Sequence, residues 1–355
     1  MNKKPFSLEA TGRLNVRQTL KDQRILLLFC IIGLSIITYI INPRFADPAN
    51  VIQLLGQISV IGVLTMGMSK LLLSGALDLS IGNIMALSAC TMAVLIVGNT
   101  QGTVGGRADT DEMVYTVASS DTAITSVPVA VIIGLAIATG CGILNGIIVS
   151  KSKAMPLIIT LGISQVYYGL SLVITDGRFM GFKMAFEPLR LTRIGGVLPV
   201  TILFFAAVVI LTMLLVNRTK FGRRIVAIGG NEMNARLSGI SVDKYKIITY
   251  VITGAYCGLA AIIYASRLDS IKSNSGQGME LQALISSIIG GVTFDGGKGT
   301  ITGAFLGVMF MGLIQNSMNM MQVNSYYQAM ITGMIIVGAV VISNIENIRK
   351  EFGLR

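Results

Sequence analysis

The sequence predicts an all-α protein, a polytopic transmembrane helical bundle of about ten spans with both termini on the cytoplasmic side. Three observations carry this. Apolar residues fill 53% of the 355 positions and charged residues only 13%, with a mean hydropathy of +0.73, a balance that cannot build a water-exposed surface. The apolar residues arrive in blocks of about 17 to 22, the length a helix needs to cross a roughly 30 Å hydrocarbon core. Lysine and arginine also fall mainly in alternate polar breaks, as the positive-inside rule requires.

Read between polar breaks, the blocks cover 25–41, 51–73, 81–98, 128–149, 155–174, 198–216, 247–266, 282–294, 300–319 and 327–343. An even number of crossings puts both termini on one side. With the N-terminus inside, cytoplasmic segments hold 20 of the 28 lysines and arginines. The acidic residues divide almost evenly, as expected of a rule that concerns Lys and Arg rather than net charge. The basic stretch before the first block lacks an A-x-A-like cleavage site, so that block reads as a retained signal anchor. The expected organisation is a cytoplasmic segment 1–24, one transmembrane domain 25–343 and a cytoplasmic tail 344–355, in contact with lipid as a multi-pass protein of the cell membrane. The longest outside loop, 99–127, carries Asp109, Asp111, Glu112 and Asp121 among Gly, Ser and Thr, a composition expected to be mobile and solvated.

Composition also excludes some functions. Cys30, Cys90, Cys141 and Cys257 lie scattered inside apolar blocks without a C-x-x-C pair, which suits small packing residues better than a disulfide framework or a metal site. Histidine and tryptophan are absent, removing the commonest zinc ligand and the commonest general base. No catalytic set and no metal site are expected. The net charge of +11 could suggest nucleic acid, but membrane topology accounts for the basic residues, and no nucleic-acid partner is expected.

The longest cytoplasmic loop, 217–246, holds local structure signals. Gly229 and Gly230 are predicted to turn the chain, Asn231 to cap a helix and Glu232 to sit in its first turn, where a carboxylate suits the dipole. Glu232 to Leu237 then forms a short helix that Gly239 ends. Two readings fit this spacing: a rigid helix on which a partner can push, or a merely basic inner loop.

The stretch from Ser74, SGALDLSIGNIMALS, places Asp78 between two apolar blocks, with Ser80, Gly82 and Asn83 nearby. A carboxylate at membrane depth is costly unless solvated, paired or lining a cavity. The break is either a discontinuous helix bordering a path through the bundle or a tight turn capped by Asp78. Asp295 precedes Gly299 by the same interval that separates Asp78 from Gly82, a hint of an internal repeat. The Gly-Gly-Lys nearby is not a P-loop, since Val292 replaces its first Gly and Gly299 its Ser or Thr. Gly299, Gly303 and Gly307, like Ala138, Gly142 and Gly146, recur at every fourth position and give small-residue faces for close helix packing. The 19 methionines read as apolar filler. Amides and hydroxyls suit weak hydrogen bonding of a neutral polyhydroxylated solute, which makes Gln53, Gln57, Asp78, Ser80, Asn83, Asn145, Gln165, Asn316 and Asn319 pathway candidates. Gln315 is a further amide within a span, and any of these amides could instead bond between helices.

Several long motifs in order resemble the permeases of ribose- and galactose-type ABC importers, and the resemblance covers nearly the whole chain. They are TKFGRRIVAIGGNEMNARLSGI (Thr219 to Ile240), LDLSIG (Leu77 to Gly82), LNGIIVSKSKAMPLIITLG (Leu144 to Gly162) and the run from Glu280 through Gly303. The resemblance implies that Gly230, Asn231, Glu232, Asn234, Ala235, Arg236, Leu237, Ser238, Gly239 and Ile240 form the coupling helix that docks in a groove of a cytoplasmic ABC ATPase. It implies two permease copies, or two paralogues, an extracytoplasmic solute-binding protein, and a simple sugar as cargo. No cofactor is then bound by this chain, ATP and magnesium belonging to the ATPase. Two departures stand out: the 99–127 loop is longer and more acidic than the family pattern, and Phe294 and Asp295 replace smaller or hydroxyl residues, so no role carries over to Asp295.

Two other classes predict different residues. An ion-coupled secondary carrier needs several ionisable groups within its spans, where only Lys70, Asp78 and Asp295 come near, all close to predicted ends. A membrane enzyme needs a convergent nucleophile, base or metal set, and none is visible. A permease for nucleosides or another small polar solute remains an alternative cargo reading.

Overall fold

The computed structural model describes residues 23–98, 124–152, 154–194 and 198–343. Expectations placed on 1–22, 99–123 and 344–355 lie outside the described residues. Each of the ten predicted blocks coincides with a helix. In chain order these begin with α1 (Gln23–Ile41), α2 (Pro48–Leu73), α3 (Ile81–Val97), α4 (Val127–Ser152) and α5 (Pro156–Thr175). A short α6 (Glu187–Leu191) precedes α7 (Val200–Arg218), α8 (Lys220–Gly230), α9 (Glu232–Leu237) and α10 (Val242–Leu268). The described chain closes with α11 (Met279–Ile289), α12 (Ile301–Met320) and α13 (Ser325–Ser343). By length and composition, 7 of the described helices can cross a membrane, and the chain is an all-α multi-pass membrane protein.

Pro48 opens α2 at a position where its missing N–H is no loss. From Ile58 onward nearly every α2 residue is buried, as is α3. These two form the centre of the bundle. The outer helices α1, α4, α5 and α7 instead expose Ile40, Ile132, Val173 and Ile210, an apolar surface that would be an anomaly in water and fits lipid.

Small residues let the backbones meet. A Cβ on Gly142 would stand 2.6 Å from the Tyr250 carbonyl oxygen, and one on Gly254 2.9 Å from Gly142 Cα, so α4 and α10 touch backbone to backbone. Gly303 and Gly307 do the same for α12, where Gly290 and Ser286 at the end of α11 approach too closely for any side chain. The expected small-residue faces are therefore packing surfaces.

Two breaks interrupt the core. At Ser74–Ser80, between α2 and α3, the freed backbone groups find specific partners: Leu77 O accepts from the Tyr250 hydroxyl at 2.7 Å, Leu79 N donates to Thr160 Oγ1 at 3.1 Å, and Leu73 O accepts from Gly297 N at 3.1 Å. At 290–300, between α11 and α12, Val292 N returns to Ser287 O, Thr293 N donates to Lys298 O, and Thr300 caps α12 by accepting from Gly303 N. The hint of a repeat ends at the spacing. Asp78 is buried and Asp295 exposed, while Gly82 packs inside a helix and Gly299 lies in the break at φ +130.

Packing of this kind makes a direct prediction. Gly307→Val should lower the thermal midpoint of the detergent-solubilised protein by more than the roughly 1–3 kcal/mol typical of overpacking, because the obstacle is a carbonyl rather than a movable side chain. Gly162→Val, where a Cβ meets nothing within 4 Å, should leave it nearly unchanged. Equal effects from the two, measured by size-exclusion after heating, would contradict the packing described.

Candidate functional site: a basic helical segment and an amide-lined cavity

The basic segment after α7 is more helical than its sequence predicts. Thr219 caps α8 by accepting from Gly222 N at 3.3 Å, and the helix runs through Gly229 and Gly230. The expected glycine turn is thus the end of a helix. Glycine serves there for close approach: a Cβ on Gly229 would collide with Leu73 O and lie 2.6 Å from Gly297 N, and one on Gly297 would lie 2.5 Å from Gly230 Cα. A Cβ on Gly296 would lie 2.8 Å from Gly75 Cα. The end of α8 therefore rests on both breaks at once.

Asn231 then caps α9, accepting from Asn234 N at 2.9 Å. At the other end Gly239 takes φ +79. Gly239 N donates to Arg236 O at 3.0 Å and Ile240 N to Ala235 O at 3.1 Å, the paired bonds of a Schellman stop, while Ser238 Oγ returns to Asn234 O at 2.8 Å. Ala235 is buried against Ile228 and Val242, so the opposite face of α9 presents Met233 and Leu237, 65% and 79% exposed. Arg236 bridges Glu232 at 3.0 Å and Asp243 at 2.6 Å, and Lys246 meets Glu232 at 2.6 Å, tying α9 to the start of α10. Phe221 and Arg224 of α8 both lean on Tyr245.

Burial opposes ionisation of Glu232, but the hydrogen bonds and charges of Lys246 and Arg236 outweigh it, and the carboxyl lies below its ordinary range. Glu232 and Asp243 in turn hold the Arg236 guanidinium above its usual value.

The nine pathway candidates divide by location. Asp78, Ser80, Asn83 and Asn145 are buried together near the first break. Asp78 Oδ1 accepts from Ser80 N at 2.8 Å and Ser80 Oγ at 2.6 Å, Oδ2 from Asn145 Nδ2 at 3.0 Å, and Asn145 Oδ1 from the Tyr167 hydroxyl at 2.8 Å. Asn83 Nδ2 donates to Ser164 Oγ at 2.8 Å. Asn316 pairs with Asn50 at 2.9 Å, and Gln53 and Gln165 are exposed. Gln57 and Asn319 line a cavity of about 280 Å³. Lys70 is fully buried, with Nζ 3.6 Å above the Tyr256 ring and no hydrogen-bond acceptor among the described residues.

The cavity is an open cleft lined by α2, α10, α11, α12 and α13 at the ends remote from α8 and α9; sixteen residues of α2 separate Gln57 from Leu73, about 24 Å of helix. Its walls include Gln282, Gln315 and Gln328 beside Gln57 and Asn319, with Tyr264 and Arg267 from α10. Gln57 Nε2 donates to Gln315 Oε1 at 2.9 Å, and Gln328 Nε2 to Asn319 Oδ1 at 3.0 Å. Inward of these amides the space shrinks to about 10 Å³ among Ile58, Ile61, Val308 and Met311, room for a single water. Sequence reasoning missed Arg267 because the predicted block stops at 266, whereas α10 runs to Leu268. Gln282 and Gln328 stand at or next to the starts of their predicted blocks, and α11 and α13, beginning earlier at Met279 and Ser325, carry them to the wall.

A transmembrane bundle with a constricted polar cavity at one end and a braced helical segment at the other is the architecture of a permease component. The chain belongs to the family described as the branched-chain amino acid transport system / permease component, which it matches over residues 50–340. It is 35% identical over 312 residues to the ribose import permease protein of Bacillus subtilis (strain 168), covering 87% of this chain and 89% of that protein. It is 32% identical to the D-allose transport system permease protein of Escherichia coli (strain K12), over 85% of each chain. The L-arabinose transport system permease protein of the same organism is also 32% identical, over 84% of each. No solved structure matches the chain.

The ion-pair network carries a pH dependence of defined sign. Because the folded value of Glu232 lies below the unfolded one, its stabilising contribution is present above the ordinary glutamate range and is lost as pH falls through the depressed folded value. Thermal stability measured down an acid series should fall less steeply in Glu232→Gln than in the parent. Parallel curves would mean that the network contributes nothing, as is common for exposed pairs.

Proposed function

We propose that this chain is the membrane-spanning permease subunit of an ATP-driven importer for a simple sugar. It spans the membrane about ten times with both termini inside, pairs with a second copy or a paralogue, receives solute from an extracytoplasmic binding protein and is driven by a cytoplasmic ABC ATPase. The observation that carries the cargo class is the cavity: among the described residues its walls offer amides, a phenol and a guanidinium, and no carboxylate. Such a lining hydrogen-bonds hydroxyl groups and gives no counter-charge to a cation or to the ammonium group of an amino acid. The names of the ribose, allose and arabinose relatives point the same way.

In this reading α9 is the coupling helix. Asn231 and Gly239 fix its two ends, the Glu232, Arg236 and Lys246 network braces it, and Met233 and Leu237 enter the ATPase. ATP and magnesium sit in that partner, whose closing and opening push α9 and bias the bundle between outward and inward access. One feature favours a second reading. The buried Lys70 is the kind of group that ion-coupled carriers employ, and such a carrier would need no ATPase.

Uptake of labelled ribose, galactose and xylose into vesicles distinguishes the two. The importer predicts uptake only with ATPase, binding protein and ATP together. Uptake by this chain alone under an ion gradient would establish the carrier. Within the importer, Arg236→Glu and Gly239→Val should leave the chain inserted but lower uptake and co-purification with the ATPase; wild-type values for both variants would remove the coupling assignment.

A further inference from the structure

The cavity holds one group that the bundle itself does not use. Arg267, near the end of α10, lies partly buried among the amides of the cavity wall, and among the described residues no carboxylate pairs with it. Asp269, two residues further on, is engaged elsewhere, accepting from Met184 N at 3.1 Å with both oxygens. A guanidinium cannot shed its proton to escape burial, so its partial burial without a carboxylate partner among the described residues carries a desolvation cost. Its stem passes the neighbouring helix at ordinary contact distance: a Cβ on Gly56 would stand 3.8 Å from Arg267 Cδ.

We infer that Arg267 is the specificity-determining group of the cavity, donating its planar fork to two adjacent hydroxyl oxygens of a neutral polyhydroxylated solute, while Gln57, Gln282, Gln315 and Asn319 exchange hydrogen bonds with the remaining hydroxyls. The geometry of the donor set leads to this class. A guanidinium presents parallel N–H groups that match a pair of neighbouring oxygens, and side-chain amides donate and accept equally, as hydroxyls do. A volume of about 280 Å³ falls just below the ~300–1,000 Å³ of sites for larger ligands, which suits a single small ring. Neutrality follows from passage. A carboxylate on the solute would form a partly desolvated ion pair with Arg267 and be held, whereas hydroxyls bind weakly enough to be released inward when the Gln57–Gln315 contact opens.

This inference rests on the importer reading and is tested inside it. Proteoliposomes containing the complete assembly are supplied with ribose-loaded binding protein and ATP, and ribonate is added as an anionic competitor. Arg267→Gln should cut ribose uptake about tenfold or more, the loss expected when a charge-assisted hydrogen bond is removed, with unchanged co-purification of the ATPase. Arg267→Lys should fall between the two, keeping the charge without the fork, and excess ribonate should inhibit the parent without itself being carried, because its carboxylate is held at Arg267. The inference is overturned if Arg267→Gln takes up ribose like the parent, if it loses assembly along with uptake, or if ribonate is carried or leaves ribose uptake by the parent unchanged. If the parent assembly carries none of ribose, galactose and xylose, the sugar reading itself fails and takes this inference with it, an outcome distinguishable from a defect confined to the variants.

Discussion

Backbone carbonyls and amides released inside an apolar bundle must find partners within it, and this constraint organises the molecule. The break after α2 exposes Leu73 O and Leu77 O at depth, where water cannot reach them and each unmet group would cost several kcal/mol. Leu77 O is met by the Tyr250 hydroxyl of α10, and Leu73 O by Gly297 N from the break after α11. Meeting the second demand draws the two breaks together, and because Gly75, Gly229, Gly296 and Gly297 lack side chains, the end of α8 settles against both. A solvent-side helix is thus seated on the two places where the core is not regular helix.

In the proposed importer, that seating is the route by which force applied at α9 would reach the cavity. Alpha-helices transmit displacement along their axes, and α2 runs unbroken from the Gln57 wall to Leu73, while α12 starts just after the second break and ends at Asn319 and Met320. The Gln57–Gln315 hydrogen bond joins these same two helices at the constriction. A shift of α8 that changes the spacing of the breaks therefore acts on both sides of the narrow point. Contiguity alone is an associational argument for coupling; the physical element that makes it concrete is a seam of backbone contacts with no side chains to absorb the motion.

The parts of this account that were legible in the sequence are those set by local chemistry. Apolar blocks locate the helices because only a helix satisfies its own backbone in lipid. Asn231, Glu232 and Gly239 announce α9 because caps depend on residues three or four positions away. What depends on distant residues was not legible. The glycine pair at the end of α8 looks like a turn until Leu73 and Gly297 are seen beside it. Asp78 looks like a cap or a pathway group until Asn145 and Tyr167, from two other helices, close around it. Arg267 falls just past the predicted block that stops at 266, and only the fold brings it to the cavity wall and shows that Asp269 is occupied by Met184. The matched spacing around Asp78 and Asp295 misleads for the same reason, since spacing does not encode burial.

The central claim is that, in the proposed importer, the contact of Gly229 with Leu73 and Gly297 carries work from the basic segment of α8 and α9 to the cavity. Measuring sugar transported per ATP hydrolysed for Gly229→Ala in the assembled importer tests it most directly, because one methyl group must push the backbones apart there without touching either α9 or the cavity. The account predicts a large fall in that ratio while the assembly still forms. A ratio equal to the parent's would show that the seam is packing only and that force reaches the cavity by another route.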